Sequence, residues 1–175
     1  MRTFLALTRR ELGVYFVSPM AYIIMTALVF ISGLVFLGSI GFAASNQFPV
    51  DYSPTLFWIM VVVVVTSALV TMRLIAEEKN RGTLEIILTA PVSDASFVLA
   101  KFAAAMVLLG YLLILTVGYL VIITRYGPVD LGAVVCGYLG VFLLGAVLYS
   151  IGLFISSLCS SQITAGVITF CVAVV

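Results

Sequence analysis

The sequence contains no histidine, so the side chain that most often serves as general base and metal ligand near neutral pH is missing. No Gly-rich phosphate loop with a following lysine is present, and no Ser/His/Asp or Cys/His set can be assembled. Neither nucleotide hydrolysis nor ordinary nucleophilic catalysis has a visible site, and no catalytic, cofactor-binding or metal-ligating residue is assigned. The three cysteines, Cys136, Cys159 and Cys171, stand at spacings that match no metal motif or disulfide framework. They read as small buried residues in helix packing. Charge is scarce as well, at 9% of residues. The net charge of +1 gives no pointer to nucleic acid or acidic substrates, because the charges are local to a few segments.

What remains is hydrophobic. Sixty-four per cent of residues are apolar and the mean hydropathy is +1.33, far above what one soluble core requires. The fold class is all-α, a polytopic membrane bundle, with spans at 20–41, 55–72, 102–124 and 131–155 and a fifth apolar segment at 163–175. The valine run of the second span would suit lipid or a buried strand; its length and lack of turn signals select helix. Polar connections fall at 43–54, at Gly127-Pro128 and at Ser156 to Gln162. The fifth segment is thirteen residues long, short of the ~20 a spanning helix needs, so the sequence reads as C-terminally truncated. None of the spans carries Asp, Glu, Lys or Arg, which weighs against an ion-coupled carrier, although Na⁺ sites built from backbone carbonyls stay open.

Two weaker signals lie inside the spans. Gly132, Cys136 and Gly140, and Gly152, Ser156 and Ser160, recur four apart and read as close helix packing within the chain. Ser32, Ser39, Thr66, Ser67, Thr116 and Ser150 either line a route or bond to their own helix backbone. No substrate residue is assigned.

Residues 1–19 precede the first span. Arg2, Arg9 and Arg10 cluster on one side of a helical projection while Phe4, Leu5, Leu12 and Tyr15 lie away from them, with Glu11 and Phe16 blurring the boundary. The expectation is an interfacial helix on the membrane surface. The competitor is a cleaved signal peptide ending at Ala43-Ala44-Ser45; the apolar run from Met20 to Ala44 exceeds a signal core of roughly 7–15 residues, and retention as a span is preferred. With the N-terminus and residues 73–101 inside, seven of the eight basic residues are cytoplasmic and only Arg125 is outside.

Residues 73–101 hold eight of the fifteen charges. Arg73 and Glu77, then Glu77 and Arg81, are spaced to pair along a helix continuing from the second span. Gly82 suits a helix end, Thr83 an N-cap, and Pro91 a stop, which frames a short helix over Leu84 to Ala90 with Glu85 near its positive end. Leu84, Ile87 and Leu88 share one face. A helix this short needs something to dock against. Ser93 is a second N-cap candidate, with Asp94 in the first turn of a helix leading through Lys101 into the next span. Spacing alone leaves open a solvated connecting loop and a docking element.

The run Glu77-Glu78-Lys79-Asn80-Arg81-Gly82-Thr83-Leu84-Glu85-Ile86-Ile87-Leu88-Thr89-Ala90-Pro91-Val92-Ser93 resembles the cytoplasmic signature of ABC-2 family permeases of ATP-binding-cassette transporters, in the gliding-motility and copper-processing type branch. Arg9-Arg10-Glu11-Leu12 with Tyr15-Phe16 and Ser18-Pro19 is similar to the family's opening segment. The resemblance implies one ABC-2 type transmembrane domain over 1–175, with six spans in the full protein and a coupling loop at 73–101. It implies ATPase docking through Glu77, Glu78, Arg81, Gly82, Thr83, Leu84, Glu85, Ile87 and Leu88. ATP and Mg would sit on a separate ABC ATPase subunit, with no cofactor on this chain. A second permease subunit would complete a homo- or heterodimer in the inner (plasma) membrane. Two other classes stay in play: a membrane assembly or scaffold protein that transports nothing, and a membrane-embedded enzyme.

Overall fold

The computed structural model describes residues 2–17, 19–46, 51–75, 79, 94–125, 129–159 and 161–174. Among them the chain forms helices α1 (Arg2–Val17), α2 (Pro19–Asn46), α3 (Ser53–Leu74), α4 (Asp94–Ile123), α5 (Leu131–Leu158) and α6 (Gln162–Val174), and no strand. Stretches of α2, α3, α4 and α5 are long and apolar enough to cross a bilayer, and α6 is a shorter apolar helix. The protein is a polytopic helical bundle.

Local chemistry sets the helix ends. Asp51 Oδ1 accepts from the Ser53 amide at 2.9 Å and the Ser53 hydroxyl at 2.8 Å, and Pro54 opens the first turn of α3. Asp130 caps α5, accepting from the amides of Gly132 at 2.9 Å and Ala133 at 3.3 Å. Two helices run further than the apolar pattern alone suggests. α2 continues to Asn46, where the Ser45 hydroxyl and the Asn46 amide group both donate to the Phe42 carbonyl. α5 continues through Ser156 and Ser157 to Leu158, because the Ser157 hydroxyl donates to Phe154 O at 2.7 Å and Ser156 turns inward to a neighbouring helix.

α3 is the central helix. Half of its spanning stretch is buried, against 22–33% for the other three spans. It packs against α2, α5 and α6. Ile59, Val62, Val63 and Val70 of α3 share one core with Leu28 of α2, Leu108, Leu109 and Leu112 of α4, and Val141 and Tyr149 of α5. Glycine permits the close α3–α5 crossing: a Cβ on Gly152 would stand 2.5 Å from Thr71 Oγ1. The row Gly132, Cys136 and Gly140 is by contrast exposed on the bundle surface, and a Cβ on Gly140 meets nothing. Cys136 and Cys171 are exposed too, and Cys159 is half-buried. In lipid, apolar and small residues gain little from being inside, so composition does not decide which face turns inward.

Charge is segregated along the bundle. Arg9, Arg10, Arg73, Lys79 and Lys101 lie at the end where α3 stops and α4 begins, hereafter the basic end, while Asp51, Arg125 and Asp130 lie at the opposite end.

Candidate functional site

The proposed docking residues Glu77, Glu78, Arg81, Gly82, Thr83, Leu84, Glu85, Ile87 and Leu88 lie outside the described residues. What the structure gives is the frame that holds the two ends of their segment.

The incoming end is α3. Arg73 sits in its last turn, where a cation meets the negative end of the helix dipole. Just beyond, Ile75 is buried and its amide donates to Ser156 Oγ of α5 at 3.2 Å. This contact satisfies an amide at the point where the helix ends. Leu74 and Ile75 cluster with Leu153 of α5, and Tyr15 of α1 and Phe102 of α4 pack against them. Four helices therefore meet where the segment leaves the bundle.

The outgoing end is α4. Lys101 lies within the candidate span Ala95–Ile123 and is buried. Its Nζ donates to Glu11 Oε2 of α1 at 3.1 Å, with only 3% of the lysine side chain and 11% of the glutamate side chain exposed. The ammonium also stands 5.1 Å from the centre of the Phe97 ring. Removing one partner of such a pair leaves an uncompensated buried charge, at a penalty of ~3–5 kcal/mol.

This pair also fixes which face of α1 turns inward. Thr8 and Glu11 are buried and Tyr15 is half-buried, whereas Leu5, Arg9, Arg10, Val14 and Val17 are exposed. The apolar grouping that set Leu5 beside Tyr15 does not describe the packed face, because the carboxylate has to meet Lys101. The Thr8 hydroxyl is satisfied by Phe4 O at 3.0 Å. Further along, Phe16 meets Tyr111 of α4 edge-on at 5.5 Å. In the sequence Glu11 stands out as a charge that blurs the apolar pattern and as part of the run Arg9-Arg10-Glu11-Leu12, and neither feature points to Lys101.

The opposite end holds a second cluster that sequence reasoning missed. Tyr138 OH of α5 bonds to Tyr52 OH at 2.8 Å and to Thr116 Oγ1 of α4 at 3.0 Å. Tyr119 OH donates to Val29 O of α2 at 2.6 Å, and its ring stacks on Phe36 at 5.1 Å. Burial first, then the Tyr138 hydroxyl, hold the Tyr52 phenol well above its ordinary value of 10.0. The six hydroxyls weighed as a route all bond back to their own helices: Ser32 to Leu28 O, Ser39 to Val35 O, Thr66 to Val63 O, Ser67 to Val64 O, Thr116 to Leu113 O and Ser150 to Ala146 O. They need no ligand to be satisfied.

Fold and frame together define a multi-pass helical membrane protein with a buried ion pair and an amide-to-serine hydrogen bond where one loop enters and leaves the bundle. The chain belongs to the ABC-2 family of transporter proteins: the family model described as ABC-2 family transporter protein matches residues 50–175, from just before α3 through α6. It is thus a membrane permease component of an ABC transporter. The opening segment Arg9 to Pro19 lies outside that match. No match was found among curated proteins or among solved structures.

Proposed function

We propose that this chain is the membrane-spanning permease subunit of an ATP-driven exporter, coupling ATP hydrolysis on a separate ABC ATPase to substrate movement across the inner (plasma) membrane. The observation that carries the reading is the double anchorage of the loop frame. Ile75 is bonded to Ser156 of α5, and Lys101 to Glu11 of α1, so a push on residues 76–93 has fixed points to act on at both ends. One of those ends continues directly into the central helix α3.

In this mechanism, closure of the ATPase presses on Leu84, Ile87 and Leu88. Glu77, Glu78, Arg81 and Glu85 set the docking angle, Gly82 provides the turn and Thr83 the cap. ATP and Mg stay on the ATPase, and a second permease subunit, identical or related, completes the transporter. The basic end faces the cytoplasm, which the gathering of Arg9, Arg10, Arg73, Lys79 and Lys101 at that end supports. The gliding-motility and copper-processing branch is the subgroup the loop signature favours.

The test is a pull-down of the protein in mild detergent, wild type beside Leu84→Asp/Leu88→Asp, with bound partners assayed for ATP hydrolysis. Wild type is expected to retain an ATPase and the double variant to lose it. A folded, abundant wild type that brings down no ATPase would overturn the reading in favour of a scaffold protein.

A further inference from the structure

We propose that the buried Glu11–Lys101 pair is a rigid strut that makes α1 part of the moving unit, so that displacement of the loop reaches α1 as well as the spans. The proposal deepens the permease reading and rests on it. Glu11 and Lys101 act here as positioning residues.

Placement argues first. Lys101 follows the start of α4 by seven residues, about 10 Å along the helix, so it lies close to where the loop rejoins the bundle. Burial argues second. At 3.1 Å, with both side chains almost wholly out of solvent, the two charges are held together by a low dielectric, and parting them would strand the Glu11 carboxylate. A surface pair of the same length would have no such hold. Geometry argues third. The Phe16–Tyr111 contact lies ten residues further along α4 and five further along α1, about 7.5 Å of the α1 axis, and this second contact restrains α1 from swivelling about the ion pair. The outer face of α1, with Arg9, Arg10, Leu5 and Val14 exposed, is the kind of face that sits on a bilayer surface. A shift of α4 then becomes a shift of α1 against the headgroups.

The experiment reconstitutes the full chain with its ATPase in lipid vesicles and measures two quantities, ATPase bound and ATP turnover per bound ATPase. Glu11→Met/Lys101→Met removes the ionic link without leaving a buried charge, so the fold is kept. It is expected to melt with wild type and to bind ATPase equally, yet to turn over ATP about tenfold more slowly. The exchange Glu11→Lys/Lys101→Glu restores the link and is expected to recover most of that turnover. A merely structural contact would leave turnover per bound ATPase unmoved. Wild-type turnover in the double-Met variant would overturn the strut while leaving the permease reading intact; absence of bound ATPase from wild type as well would overturn both.

Discussion

At the basic end, a buried ion pair joins α1 to α4 and an amide-to-serine hydrogen bond joins the end of α3 to α5, whereas the opposite end is joined by uncharged phenols, a threonine and stacked rings. The ion pair resists loosening, because parting it leaves the Glu11 carboxylate buried without its cation. The hydroxyl cluster resists less. Thr116 keeps Leu113 O as a second partner if Tyr138 moves away, and stacked rings slide at modest penalty. A stiff joint thus lies beside the loop and a yielding one lies far from it, an arrangement suited to a push delivered at one end and a rearrangement allowed at the other.

The largest break in this comparison is Lys101→Met. It leaves the Glu11 carboxylate buried without its partner, and a loss of ~3–5 kcal/mol is expected in thermal or denaturant unfolding in mild detergent. Gly152→Val comes next, since a Cβ there collides with Thr71; forcing α3 and α5 apart is expected to lose ~1–3 kcal/mol by the same measurement. At the opposite end Tyr138→Phe removes two hydroxyl contacts and is expected to lose only ~1–2 kcal/mol.

The smallest effect is confined to alkaline pH. The Tyr52 phenol is raised in the folded state, so its contribution is fully present below the ordinary value of 10.0 and is lost as pH rises above it. Tyr52→Phe is expected to remove that alkaline decline and leave stability near neutral pH dependent only on the lost hydrogen bond. A decline equally steep in the variant would assign it to other groups.

The contrast also shows what a single sequence conveys. Charge-free runs announced a helical membrane bundle, because a bilayer demands length and apolarity of each span regardless of its neighbours. Pairings between distant residues were hidden. Glu11 and Lys101 are ninety positions apart, and Tyr52 and Tyr138 eighty-six; nothing in local spacing links them. Of the two small-residue rows, Gly152 and Ser156 pack against the α3 end as read, and the Gly132 row misled for a related reason. Gly132 and Gly140 have the spacing of a packing motif and face outward, while Gly152 approaches Thr71, since which side of α5 meets α3 is set by partners rather than by period. Loop residues such as Leu84 and Leu88 were legible only as a signature, and their structure lies outside the described residues.

The central claim is that the segment between α3 and α4 is where an ATPase pushes. The most direct measurement places a photo-crosslinking amino acid at Ile87 in the full-length protein, irradiates the membranes, and identifies what is attached. The account predicts a covalent adduct with an ATP-hydrolysing subunit, abolished by Leu84→Asp/Leu88→Asp. Adducts with lipid alone, from a protein that nonetheless co-purifies with an ATPase, would contradict it and move the contact elsewhere on the bundle.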